Sequence, residues 1–524
     1  MNLNHKLGGF LVGTAACLAL STPAQAQVSA DALLDRLVSK GILTQDEAAQ
    51  LQKEAATNNP TNNVSAPGEG LKFKLSKAIK SVELFGDVRM RFEDRSAKLG
   101  PEAGGIYDAE NRWRYAVRLG IRGDLADDFY YGLRFETSPN PRSPWNTFGN
   151  GGGSSSTYFG PFSKANNYSL YMGQAFLGWR PTSWLDISAG RVPQPLYTTS
   201  MVWDSDLNPE GIVEKARYTY GPVDFFANFG QYLYQDVSPA NDYGIQGGSA
   251  SGIELGDFSD HDAYLLAWQL GATYHVDSNM WAKVAPVIYT YVGHGNASDG
   301  FYGPFVGQGV GGYTFAPGSS TSGIPGGTGA TSGPTVTTTS YNQTGINNLA
   351  IVEVPMELNF KLWSLDAKAF GDFAINLDGD NRARAAYAAG TAIGGKGAFP
   401  GGLQLGQSQA MQAGFAIGNN LGLVYGTTSK KGTWEARAYW QHVEQYALDP
   451  NMLDSDFFEG RGNLQGLYTA FAYSFTDAII ATVRWGLAER INDQLGTGGY
   501  NADLPLPNPV NRYQVIQMDM TMRF

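Results

Sequence analysis

The residues best placed to do chemistry in this 524-residue chain are charged ones. Asp204, Asp206 and Glu210 crowd into one short stretch, Asp204-Ser205-Asp206-Leu207-Asn208-Pro209-Glu210. Arg89 and Arg91, then Arg112, Arg114, Arg118 and Arg122, recur at even spacings within their own stretches, and Arg134 follows in a third. The acidic stretch opens like a calcium loop, but such a loop needs Gly at its sixth position and Glu at its twelfth. Pro209 and Lys215 stand there, so an Asx-rich turn is the better account and no cofactor is expected. Asp378-Gly379-Asp380-Asn381 reads as a loop turn in the same way. Catalysis finds little support. His261, His275, His294 and His442 are not spaced as a metal pair, and neither a G-x-S-x-G elbow nor a phosphate loop occurs. A lipase could still assemble Ser, His and Asn across separate strands, and hydrolysis of phospholipids or esters would discriminate it. The reading adopted is that the chain is not an enzyme. Opposed acidic and basic groups can instead act without making bonds, by biasing which ions cross a water-filled passage.

Such a passage needs a wall, and the composition supplies its materials. There are 66 glycines, 28 Tyr, 27 Phe and 11 Trp, a mixture suited to turns and strands. The formal net charge of −11 argues against a nucleic-acid partner. No run of 18 apolar residues occurs, which argues against helical membrane spans but not against spanning strands. Residues 1–26 read as a secretory signal peptide, with Lys6, an apolar stretch from Phe10 to Leu20, and Ala24-Gln25-Ala26 at the cleavage site. A lipoprotein anchored on Cys17 is disfavoured by Thr14, where such signals carry leucine. The sole cysteine would leave with the signal, which excludes disulfides from the mature chain.

Residues 27–56 read as a periplasmic helical segment. Ser29 caps a first helix with Leu33, Leu34, Leu37 and Val38 on one side, and Thr44 with Glu47 forms a capping box for a second. Residues 57–80 form a linker, rich at first in Asn, Pro and Gly. From 81 onward the hydrophobic period becomes two. Val82, Leu84, Val88, Met90 and Phe92 alternate with Glu83, Asp87, Arg89, Arg91 and Glu93. Sixteen strands are expected, over 82–93, 111–123, 129–137, 168–180, 184–192, 212–220, 223–233, 261–275, 280–292, 349–361, 364–375, 408–427, 433–447, 463–475, 478–490 and 512–524. Their connections alternate between tight turns and long loops such as 138–167, 234–260, 293–348 and 376–407. An even count of antiparallel strands, with short turns at one end and long loops at the other, is the plan of an outer-membrane barrel. In lipid the sheet must close, because an open edge would leave backbone groups unpaired. Residues 81–524 are therefore expected to form an all-β transmembrane antiparallel barrel.

The last strand puts Ile516, Met518, Met520, Met522 and the terminal Phe524 on one face. That ending resembles the signal read by the barrel-assembly machinery of Gram-negative bacteria. After the fifth strand come Gly190-Arg191-Val192-Pro193-Gln194-Pro195 and then Trp203-Asp204-Ser205-Asp206-Leu207-Asn208-Pro209-Glu210-Gly211. With the N-terminal helices and the final strand, these residues resemble the putative-porin family of outer-membrane proteins. The topology is similar to that of sixteen-stranded general porins. The resemblance implies a third long loop, 193–211, folded inward to narrow a pore, and a homotrimer. It also implies outer-membrane lipids and small hydrophilic solutes as partners.

A barrel of this width is too wide for side chains to fill and leaves an aqueous channel. Its constriction would set Asp204, Asp206 and Glu210 against Arg89, Arg91, Arg112, Arg114, Arg118, Arg122 and Arg134. Two readings of these charges stand side by side: a transverse field across the pore, or ordinary interior charges that only hold the loop in place or pair with Glu83, Asp87 and Glu136. The function expected is passive diffusion of small hydrophilic solutes and ions. The alternatives are a substrate-selective (anion) channel and a barrel whose long loops, above all 293–348, bind a surface.

Overall fold

The structure, a computed structural model, describes residues 76–100, 105, 107–138, 143–148, 169–235, 263–293, 314–317, 334–337, 348–392, 402–497 and 510–524. Nearly all belong to one antiparallel sheet wound into a closed barrel of sixteen strands. The first eight are β1 (Glu83–Leu99), β2 (Tyr107–Asp124), β3 (Phe129–Ser138), β4 (Ser169–Thr182), β5 (Leu185–Arg191), β6 (Glu210–Tyr220), β7 (Val223–Gln235) and β8 (Ala263–His275). β9 runs as Trp281–Val284 and Val287–Gly293, and β10 as Ala350–Glu353 and Met356–Leu362. β11 (Leu365–Asn376), β12 (Gln409–Gly418), β13 (Trp434–Val443), β14 (Leu464–Ser474), β15 (Ile479–Arg490) and β16 (Val510–Arg523) complete the wall.

Alternation explains how each strand sits. Outward positions such as Leu84, Met90, Trp113, Leu177, Phe471 and Met520 are exposed large apolar groups, the arrangement a lipid-facing wall requires. The intervening positions, including Arg91, Glu93, Arg114, Glu353 and Arg437, are buried polar groups that face inward. The breaks in β9 and β10 lie at Pro286 and Pro355, which have no N–H to give the ladder. The two breaks are adjacent, and Ala285 N donates to the Pro355 carbonyl at 3.1 Å. β16 closes on β1 with Asp87 opposite Arg523. Gly86 and Phe524 exchange backbone hydrogen bonds of 3.0 and 3.1 Å. A Cβ at Gly86 would lie 2.7 Å from the Phe524 ring and 2.3 Å from the Arg118 carbonyl, so this seam needs glycine.

The strand count and order agree with the sequence reading, and the differences have physical causes. β1 and β2 run longer than expected, to Leu99 and from Tyr107. The strand expected over 408–427 stops at Gly418, and residues 419–433 turn into the barrel. The strand expected to reach 447 stops at Val443. Within the connection 377–408 a helix, α1 (Gly379–Ala392), stands where a plain loop was expected. Asp378, at its head, accepts a hydrogen bond from the Asn381 amide, so this cluster opens a helix. The described residues fall within one compact unit, Ser76–Phe524. The expected signal peptide (1–26), the helical segment (27–56) and residues 57–75 of the linker lie outside the described residues, as do His261, His294 and most of 293–348. The end of the linker is tied to the first tight turn, where Lys80 N donates to the Asp124 carbonyl at 2.9 Å.

Candidate functional site

The lumen is narrowed by three segments that leave the wall. Residues 192–209, between β5 and β6, fold inward as expected. Met201 and Val202 are buried, and Trp203 packs against Tyr232 and Tyr289 with ring centroids 6.0 and 6.4 Å apart. Hydrogen bonds carry the segment to the far side of the barrel. Tyr197 N donates to Gln269 Oε1 at 2.9 Å, and Gln269 Nε2 returns a bond to the Tyr197 carbonyl at 2.7 Å. The Thr198 and Thr199 hydroxyls donate to Glu353 and Asp372.

A second segment, 444–463 between β13 and β14, enters from the same end. Leu448, Met452, Leu453, Phe457 and Phe458 join Trp203 in one hydrophobic cluster. A third, 419–433, enters from the tight-turn end. Glu435 accepts hydrogen bonds from Gly422 N at 2.8 Å and Val424 N at 3.1 Å, and Arg484 Nη2 donates to the Val424 carbonyl at 2.8 Å. Tyr425, carried by that segment, lies with its ring 4.5 Å from the Arg437 guanidinium, which Phe370 faces at 5.1 Å. Such contacts add to the hold of Glu435 on Arg437.

The two segments that enter from one end meet at Asp204. Its N–H donates to the Met452 carbonyl at 2.6 Å. Its buried carboxylate accepts from Asp206 N at 2.9 Å and from both Ser455 N and Ser455 Oγ at 3.2 Å. Burial, reinforced by the Asp206 and Asp456 charges, pushes the Asp204 carboxyl up to about 7. Burial also pushes Asp454 well above the usual carboxylate range, with Asp456 and Asp204 adding to it. For Asp456 burial acts in the same direction, but the Arg91 guanidinium 2.6 Å away outweighs it and holds the carboxyl well below that range.

The expected site residues divide into groups. Arg89, Arg91, Arg134, Asp204 and Asp206 border an open cavity of about 870 Å³ lined by the wall and the three segments. Arg118 stands behind them, paired with Asp206 and, at 3.4 Å, with Glu136, which also holds Arg134 at 3.0 Å. Arg89 pairs with Asp87, and Arg91 with Asp519 at 2.7 Å. Arg112 and Arg114 do not border the cavity; they converge with Arg95 and Arg91 on Glu93, at 2.6, 3.6, 3.0 and 3.7 Å respectively. Arg122 pairs with Glu83 at the exposed rim near the first tight turn. Glu210 is not brought to the others. It opens β6, pairs with Arg191 at 2.6 Å and shares its face with the outward Ile212. Pairing with nearby carboxylates is thus the rule along the arginine wall. Phe524 sits at the closing seam.

Several cavity-lining charges were not singled out from the sequence: Lys368, Arg437, Asp454, Asp456, Arg484, Asp519 and Arg523. The strand residues among them were within reach, since the same alternation that turns Arg91 inward places them inward too. A signal for the second inward segment also exists. Met452-Leu453-Asp454-Ser455-Asp456 repeats the Asp-Ser-Asp of 204–206, again just after a methionine and apolar residues, and both are soon followed by Glu-Gly. Among the described residues no group of three or more His, Cys, Asp or Glu is arranged to hold a metal ion. His275 bonds Asp224 at 2.8 Å, and His442 bonds Gln465 at 3.2 Å.

A family model described as putative porin matches residues 92–524. No curated protein matches the chain. Among solved structures, an anion-selective porin from Comamonas acidovorans aligns at 9% identity over 85% of this chain and 99% of that one, with a TM-score of 0.40. The outer-membrane protein OmpT of Vibrio cholerae aligns at 9% identity over 86% and 100%, with a TM-score of 0.35.

Proposed function

The chain belongs to the putative porin family, and from that premise we propose that it passes small hydrophilic solutes and ions through its lumen by passive diffusion. The observation that carries this reading is the charge-lined cavity of about 870 Å³ inside a closed barrel. Water and hydrated ions can occupy such a space, because its wall offers arginine, carboxylate, amide and hydroxyl groups at close range. Apolar groups on the outside and polar groups on the inside suit a molecule seated in the outer membrane. A signal peptide cleaved near Ala26 would deliver it there, residues 27–56 would remain in the periplasm, and Phe524 would present the final strand to the barrel-assembly machinery. A homotrimer is the assembly in keeping with this reading. At the constriction we assign Asp204 and Asp206 on the inner segment, with Arg89, Arg91 and Arg134 on the wall.

The test is planar-bilayer recording of the purified protein. Stepwise conductance is expected, and deletion of residues 196–208 should raise it, because that segment occupies the lumen. A properly assembled deletion variant with unchanged conductance would remove the segment from the conduction path. Hydrolysis of phospholipids or esters by a protein that shows no conductance would overturn the channel reading itself.

A further inference from the structure

The turn that enters the lumen from the tight-turn end is far longer than its task requires. Gly221-Pro222 alone joins β6 to β7, whereas residues 419–433 join β12 to β13. The extra chain folds into a rigid tip. Leu423 and Val424 are buried and belong to the main hydrophobic cluster. Gly426 has a φ of 64°, in the left-handed region, and its N–H donates to the Leu423 carbonyl at 2.9 Å. Thr427 N closes the base of the tip on the Gly422 carbonyl, also at 2.9 Å. Glu435 and Arg484 hold the tip's backbone from the wall. Between the two buried anchors and Gly426 stands Tyr425, which is 50% exposed and borders the cavity. The long turn thus presents one aromatic ring to the lumen.

The wall behind the tip is built to match. Ladder pairing runs Lys368–Ala416–Arg437–Ala470–Arg484, so three cations separated by two alanines form one inward row from β11 to β15. Each cation has its carboxylate: Lys368 pairs with Glu357 at 2.7 Å, Arg437 with Glu435 at 2.8 Å, and Arg484 with Asp519. The Arg437 guanidinium lies 4.5 Å from the Tyr425 ring and 5.1 Å from that of Phe370. Phe370 can occupy that place because Gly414 has no side chain; a Cβ there would come within 2.5 Å of the ring. Ring, guanidinium and ring are therefore in contact, and the series ends at the open surface of Tyr425.

We propose that Tyr425 is the stacking platform of a subsite for neutral, polyhydroxylated ring solutes, that is, sugars. This names a solute class for the channel proposed above and rests on that reading. A sugar ring has an apolar C–H face that can lie on an aromatic ring, and a rim of hydroxyls that each donate and accept. The pairs Lys368–Glu357 and Arg484–Asp519, which border the same cavity, each set donors beside an acceptor, as neighbouring hydroxyls require. An ionic solute gains less here, because every cation of the row is already matched. The cavity of about 870 Å³ falls within the range of roughly 300–1,000 Å³ that small-molecule sites span. A tip already held in place loses little freedom when a solute binds.

Planar-bilayer recording of the full chain, with maltose added on the side of the tight turns, tests this. Maltose is expected to reduce the ion current more than a polyethylene glycol of equal hydrodynamic size, and more than benzoate. Tyr425→Ala should weaken that block about tenfold, and Tyr425→Phe should retain it. A tyrosine that merely braces Arg437 would instead alter the reversal potential on substitution and leave the sugar block untouched. Equal block by maltose and the polymer would overturn the proposal, as would a Tyr425→Ala channel blocked as strongly as the parent. Stronger block by benzoate would overturn the solute class. Should Tyr425→Ala give no heat-modifiable barrel, Tyr425→Leu keeps the bulk of the tip without the ring and carries the same expectation. Calorimetry of maltose with the folded protein in detergent separates the two readings. Binding without conductance would remove the channel and leave the subsite, whereas conductance without binding would do the reverse.

Discussion

Glu93 shows what a single buried charge does in this wall. It is fully buried and lies within 4 Å of four guanidinium groups, those of Arg91, Arg95, Arg112 and Arg114, while Gln517 Nε2 donates to it at 2.8 Å. Breaking a buried charge network by neutralising one member commonly costs about 3–5 kcal/mol, because the remaining charges stay buried without their counterpart. Glu93→Gln should accordingly lower the temperature at which the barrel loses its compact gel mobility. Arg122→Ala should leave that temperature unchanged, since its pair with Glu83 is exposed at the rim. A Glu93→Gln barrel with parental heat resistance would show that the network contributes nothing net. The inward direction of Arg89, Arg91 and Arg114 was legible in the sequence, because alternation alone fixes it. Their partners were not. Arg91 holds Asp519 across the closing seam, 428 positions away, and Asp456 on an inward segment, 365 away. Only barrel closure brings those residues together.

Among the elements, the strands were legible and, apart from the loop after the fifth strand, the excursions from the wall were not. A half-buried strand and a half-buried inward loop can both alternate. Leu421, Leu423 and Tyr425 fall at every second position, so 419–427 reads as a continuation of β12. The loop 448–463 has no such period, and the repeated Asp-Ser-Asp was its only sign. Ser455 links it to the other inward segment through two hydrogen bonds to Asp204. Ser455→Ala removes one of them, and hydrogen exchange should then quicken for amides in 448–460 while those of β13 and β14 keep their protection. Equal protection in parent and variant would mean that the apolar cluster around Phe457 holds the loop unaided. The seam makes a second test at this scale. Gly86→Val would drive a side chain into the Phe524 ring and the Arg118 carbonyl, so it should impair assembly as severely as deleting Phe524. Normal yields of folded barrel from Gly86→Val would show that the seam tolerates a wider register.

Ion preference belongs to the whole molecule, because it depends on the sum of charges at the cavity and not on the overall −11. Charges on distant loops are screened within about 8 Å at physiological salt. The cavity is bordered by seven cationic groups and seven carboxyl groups, so with all of them ionised its selectivity should be weak. Two of those carboxyls, Asp204 and Asp454, are pushed upward by burial, Asp204 to about 7. Asp204 therefore takes up a proton in the folded protein as pH falls from 8 to 6. Protonation of Asp204 relieves the cost of its burial, so the folded state gains stability at low pH that is lost as pH rises through about 7. Asp456, held low by Arg91, stays charged throughout. Acidification therefore leaves the cationic groups in excess, and the reversal potential in a salt gradient should move toward anions between pH 8 and pH 6. Asp204→Asn combined with Asp454→Asn should give the acid-side value already at pH 8 and flatten the response. Arg89→Ala combined with Arg134→Ala should move the potential toward cations, whereas Arg112→Ala with Arg114→Ala, away from the cavity, should change it little. If the parent's reversal potential is constant from pH 6 to 8 while conductance persists, Asp204 does not face the conduction path. The balance of charge at the pore would then be set by the wall arginines and their partners alone.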